Sequence, residues 1–210
     1  MNRRTYLKTA GVAASAGLLA GCSGSTDGET TPTYGTLATS VTDMPGDIGD
    51  FETCVVTMVA SGSRRPTATA EATESGTAAD GRRYIEFDEP RTADLVQLQG
   101  SNTQSLGETE VETGAYRYLQ LDVTGVTGTL DGGGEASVDT PGNAPLKFDA
   151  EFDVRAAERT RFVADFTPVR RGTGSYTIRP VADGTTVLYG DAEYTTEDAS
   201  VEGNASASAE

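Results

Sequence analysis

The 210 residues contain no histidine and two cysteines, Cys22 and Cys54. Serine–histidine and cysteine–histidine catalysis need an imidazole that titrates near neutrality, so their common forms are excluded. Zinc, copper and haem sites lose their commonest ligand as well, and the expectation is a protein without a cofactor. What remains is carboxylate chemistry, with 32 acidic residues to supply it. Asp43, Asp47 and Asp50, in "TDMPGDIGD", are the candidates for a calcium site, since that hard cation takes oxygen ligands. Their spacing is not that of the D-x-[DN]-x-[DN]-G loop, and acids around a Pro-Gly turn also serve to cap backbone amides. Asp131 and Glu135 flank three glycines in "LDGGGEA", a hairpin signature with no helix after it to make a phosphate loop. Asp139 opens "DTPG", which departs from the Asp-Thr-Gly of aspartic proteases at Pro141 and has no second copy. Paired carboxylates acting on glycans are the alternative enzyme, but acids are so abundant that no pair stands out. No catalytic residue is assigned, and the expectation is a protein that is not an enzyme.

Cys22 is the residue with the clearest chemistry. The chain begins "NRRTYLKTAGVAASAGLLAGC": Arg3 and Arg4 form a charged region, residues 10–20 a short apolar one, and Leu19-Ala20-Gly21-Cys22 a small-residue processing site. The apolar run falls short of the roughly 20 residues that cross a bilayer, so residues 1–21 read as a leader. Its paired arginines resemble a twin-arginine export signal, with Asn2 where Ser or Thr is usual. Leu19 to Cys22 resemble a lipobox, which implies a diacylglycerol-type lipid on the Cys22 sulfur and the outer face of the cell membrane as the destination. Two acyl chains, at about 0.8 kcal/mol per buried CH₂, hold a protein where one does not. Cys54, in "FETCVVTMV", then has no disulfide partner and reads as a packing residue.

Net charge is −16, with 16 basic residues of which only Lys8 and Lys147 are lysines. Loss of a leader ending at Gly21 removes three positive charges and no negative one, taking −16 to −19. Such a surface repels nucleic acid and anionic headgroups, so no nucleic-acid partner is expected. Molar salt shortens the Debye length to about 3 Å and relieves the self-repulsion, and the composition reads as that of a halophile's protein. The exposed basic pairs Arg64-Arg65 and Arg170-Arg171 read as local salt bridges or solvated turns. Asn204-Ala205-Ser206 fits the N-glycosylation sequon.

The elements that must position these groups are strands. In "LKFDAEFDVR", Leu146, Phe148, Ala150, Phe152 and Val154 alternate with polar residues, the period of a strand with one buried face. "YRYLQLDV" and "RFVADF" alternate in the same way, and residues 36–42, 51–60, 83–87, 93–98 and 175–180 are further predicted strands. Gly, Pro, Asn and Asp punctuate them in "DMPGD", "DGGGE", "TPGNAP", "RRGTG" and "ADGT". No segment carries a helical stripe. The pattern predicts an all-β, antiparallel β-sandwich, immunoglobulin-like or transthyretin-like, over residues 34–194. Residues 22–33 read as a lipidated tether, 61–81 as a low-complexity loop within the domain and 195–210 as a disordered acidic tail.

The order of "LATSVTDMPGDIGDFETCVVTM", "ADLVQLQG", "ETGAYRYLQLDV", "VDTPGNAPLKFDAEFDV" and "FVADFTPVRRGTGSYTIRPV" resembles the domain-of-unknown-function family 4382 of exported proteins and lipoproteins. The resemblance implies a β-sandwich at the cell surface and carries no activity. The function expected is an exported, lipid-anchored binding or structural module whose partner is a surface protein or a polysaccharide. A glycan hydrolase and the solute-binding lipoprotein of a transporter are the alternatives.

Overall fold

The period-two alternation resolves into strands that share one apolar interior. A computed structural model describes residues 33–65, 81–142, 144–195 and 197. Its strands are β1 (Tyr34–Asp43), β2 (Phe51–Arg64), β3 (Arg82–Asp94), β4 (Gln104–Glu112), β5 (Gly114–Tyr116) and β6 (Tyr118–Leu130). They continue as β7 (Glu135–Ala136), β8 (Val138–Asp139), β9 (Leu146–Phe148), β10 (Phe152–Val154), β11 (Arg159–Arg170) and β12 (Tyr176–Tyr189). One sheet has the order β4-β1-β11-β12-β8; the other runs β3-β2-β6-β7, with β9 also paired to β6. β10 and β5 form a separate two-stranded ribbon. The fold is all-β and sandwich-like. Leu37, Val41, Phe162, Ala164 and Phe166 of the first sheet bury against Cys54, Val56, Met58, Leu119, Leu121 and Phe148 of the second. Phe148 and Phe166 meet edge to face across the layers, ring centres 5.1 Å apart at 84°.

The first sheet is mixed, where uniformly antiparallel pairing was expected. β1 runs parallel to β11, from Thr36 opposite Arg159 to Asp43 opposite Phe166, and β8 runs parallel to β12. β1 lies inside the sheet and every residue from Leu37 to Asp43 is buried, so both of its faces are covered. Double cover of this kind is typical of strands in parallel pairing. Small side chains make it possible: Ala38, Ser40 and Thr42 occupy the face away from the main core, where the Arg161 guanidinium donates to Ser40 Oγ at 3.2 Å. Thr42 Oγ1 donates to the carbonyls of Leu98 and Asn102 on the same side.

Three local expectations are corrected. Residues 93–98 do not form a separate strand. Asp94 ends β3, its Oδ1 accepts the amides of Val96 and Cys54, and Leu95–Leu98 winds into a 3₁₀ turn that buries both leucines three apart. The alternation from Leu146 to Val154 is two short strands, because the chain turns at Ala150, whose amide donates to the Phe148 carbonyl, and β10 leaves the sheet to pair with β5. The loop expected over 61–81 is shorter: β2 runs to Arg64 and β3 starts at Arg82, the two paired end to end.

Candidate functional site

Asp43, Asp47 and Asp50 are brought to two different places. Asp43 closes β1 on the same face as Leu37 and Val41, 1% exposed, with no hydrogen-bond partner for either carboxyl oxygen. Burial, and then the nearby Asp165, push its pKa up to about 8. Asp47 and Asp50 belong to the 3₁₀ turn Asp47–Asp50 and serve the β11–β12 hairpin instead. Asp47 Oδ2 accepts the Arg170 amide at 2.7 Å, and Asp50 Oδ2 accepts the Tyr176 hydroxyl at 2.7 Å with the Arg170 guanidinium 3.7 Å away. Among the described residues no three acidic or thiol side chains gather as a metal-ligand cluster.

The remaining candidates hold structure. Cys54 is fully buried; burial first, then Asp43 and Asp94, drive its thiol pKa up to about 12, far from a nucleophile's range. Gly132, Gly133 and Gly134 all have positive φ and carry the β6–β7 turn between Asp131 and Glu135, a conformation L-residues avoid. Asp139 sits exposed on β8. Arg65 pairs with Glu112 and donates to the Thr113 carbonyl, which ties β2 to the end of β4. Arg3, Arg4, Cys22 and Asn204 lie outside the described residues.

A site the alternation pattern did not reveal lies beside the β5–β10 ribbon. Ala115, Tyr116, Arg117, Glu151, Phe152, Asp153 and Tyr189 line an open groove of about 330 Å³. Its floor is aromatic and rigid: Tyr116 stacks on Phe152 with ring centres 5.1 Å apart at 11°, and Phe152 meets Phe162 edge to face. Tyr189, at the end of β12, accepts the Asp153 amide on its hydroxyl at 3.2 Å. The Arg155 guanidinium lies 4.2 Å over the same ring, and Glu158 anchors that arginine at 3.3 Å. Glu151 and Asp153 are exposed acceptors two residues apart, and Arg117 is an exposed forked donor at the end of β5. Carboxylates, a guanidinium and a fixed aromatic ring in one groove match a polyhydroxylated ligand, whose hydroxyls both donate and accept.

The sequence profile of the family described as Domain of unknown function (DUF4382) matches residues 34–180, more than half of the chain. The chain belongs to the DUF4382 family. The match spans β1 into the first part of β12, so it takes in the carboxylates of the groove, while Tyr189 lies beyond its end. No curated protein matches this DUF4382 chain.

Proposed function

We propose that this protein is an exported, non-catalytic binding module, held at the outer face of the cell membrane by lipid on Cys22, that takes surface glycan into the Tyr189 groove. The groove carries the reading: an aromatic ring fixed by two contacts stands beside acceptors and a forked donor, the set that grips a sugar ring without breaking a bond. Support for the anchor is the leader's charge, short apolar stretch and Leu19-Ala20-Gly21-Cys22 ending. The family description names a domain and no reaction.

A carboxylate hydrolase is the second reading, favoured by one observation. Glu151 and Asp153 line the same groove two residues apart, a pair of carboxyl groups of the kind glycoside hydrolysis uses. One experiment separates the two. The protein is purified from its own membrane in detergent at molar salt and titrated calorimetrically with fragments of that cell's surface polysaccharide, while new reducing ends are counted. The binding module gives saturable heat that Tyr189→Ala abolishes and no new reducing ends. Reducing ends that vanish in Glu151→Gln establish the hydrolase, and absence of heat with every fragment ends the glycan reading.

A further inference from the structure

β3 is a long edge strand: thirteen residues with β2 as its one sheet neighbour among the described residues, its outer-face residues Arg82, Tyr84, Glu86 and Asp88 exposed while Arg83, Ile85 and Phe87 are half-buried. Such an edge is a template for another strand, and proteins usually blunt it with charge. Here the charges are ordered. Along "RRYIEFDEP" the positive groups, Arg82 and Arg83, come first and the negative ones, Glu86, Asp88 and Glu89, follow. Read against itself in the antiparallel direction, this stretch sets Arg82 opposite Asp88 at both ends, with Arg91 lying beyond it.

From these observations we infer that two copies of the chain join at β3, edge to edge, about a twofold axis through Ile85. Antiparallel partners face the same side of a sheet, so the register must pair residues of equal parity. A centre at Ile85 satisfies this, setting Tyr84 opposite Glu86 of the second copy and Arg82 opposite Asp88. Tyr84 and Glu86 are on the outer face of the β3-β2-β6 sheet. There Tyr84, 47% exposed, is held in place by a 2.8 Å hydrogen bond from its hydroxyl to Asp122. Ile85 faces the other way, over a groove of about 180 Å³ between β3 and β4 that it shares with Phe87 and Leu106. The stretch that pairs, Arg82 to Asp88, keeps register with β2 up to Glu86; the β2 pairing is then interrupted across Pro90, which lacks an amide, and resumes at Arg91. The self-complementary charge order selects a second copy over an unrelated strand. A closed, isologous pair also consumes both edges and leaves no site for a third copy.

The test uses the full chain in its own membrane at native salt, with cysteine placed at the axis. Ile85→Cys brings its thiol opposite its own copy, where antiparallel neighbours stand about 4.5–5.5 Å apart between Cα atoms, within disulfide reach. Mild oxidation gives a covalent dimer of twice the chain mass. Thr92→Cys is the control, because its two copies end up on the order of 46 Å apart at 3.3 Å per residue and stay monomeric. Asp88→Arg lowers the dimer fraction at least tenfold in the Ile85→Cys background, and adding Arg82→Asp restores it, a rescue that mere loss of folding does not give. Monomer from folded Ile85→Cys, equal crosslinking at Thr92→Cys, or a crosslinked product whose mass shows a different protein each overturns the proposal.

Discussion

Asp43 and Asp165 lie one register step apart on the parallel strands β1 and β11, both buried, with their side chains on opposite faces of the sheet. Asp165 is the better served of the two. Its Oδ1 accepts the Met44 amide at 2.6 Å, and its carboxyl lies under the irregular part of β12, where a methyl group at Gly184 would fall 1.7 Å from Oδ2. Burial raises its pKa to about 7, against the lowering effect of the Met44 amide. Asp43 has no such donor.

A carboxyl whose folded pKa exceeds its unfolded value holds its proton more tightly in the native state. Stability therefore falls as pH rises from the ordinary carboxyl value of 3.8 through about 8 for Asp43, and levels off above that. The slope tends toward about 1.4 kcal/mol per pH unit for a fully shifted group. Asp43→Asn keeps the shape and removes the titration. Chemical denaturation at fixed salt is expected to show the variant more stable than the parent near pH 8 and with a flatter pH profile below it. An unchanged slope contradicts the burial of a charge at this position.

Gly184→Ala drives its new methyl group into the Asp165 carboxylate. The expected loss is at least 2 kcal/mol in denaturant unfolding, the range of an overpacked site. Gly172, with nothing near its open position, is the neutral comparison: Gly172→Ala is expected to stay within about 0.5 kcal/mol of the parent.

The hydroxyl of Tyr176 and the carboxylate of Asp50, 126 residues apart, close the β11–β12 hairpin onto the turn after β1. Tyr176→Phe keeps the ring that meets Phe51 at 4.6 Å and removes only that bond. About 1–2 kcal/mol of stability is expected to go with it, read as a shift in denaturation midpoint without a change in slope.

Charge sets a further expectation. At −16 the folded chain repels itself in dilute buffer, and the Arg155–Glu158 and Arg159–Glu108 ion pairs are surface contacts worth little alone. Thermal unfolding followed from about 0.1 M to molar salt is expected to show the melting temperature rising throughout the series. A melting temperature independent of salt removes the basis for reading the composition as an adaptation to brine.

Much of the fold was legible because strands bury alternate residues, and Phe148, Phe162, Leu119 and Leu121 announce their faces in sequence. Pairing direction was not. Nothing in "LATSVTD" states that the neighbour of β1 is β11, more than 110 residues away, although the small residues of its second face record that both sides are covered. The 3₁₀ turn at Leu95–Leu98 hid behind an apolar run too short to show a period. The groove was the least visible feature: Glu151 and Asp153 read only as the wet face of a strand, and Tyr189, 36 residues beyond Asp153, joins them through tertiary packing alone. Asp43, by contrast, stands out in the sequence for its charge, and its burial in the sandwich makes that charge a determinant of stability against pH.

The proposed role outside the cell rests on the sulfur of Cys22, and mass spectrometry of the protein from intact membranes tests it most directly. The account predicts a mature chain beginning at Cys22, its sulfur carrying a diacylglycerol-type lipid, with Cys54 the single thiol that alkylates, and only after denaturation. An untrimmed chain with a free Cys22 thiol, recovered from the cytosol, contradicts it.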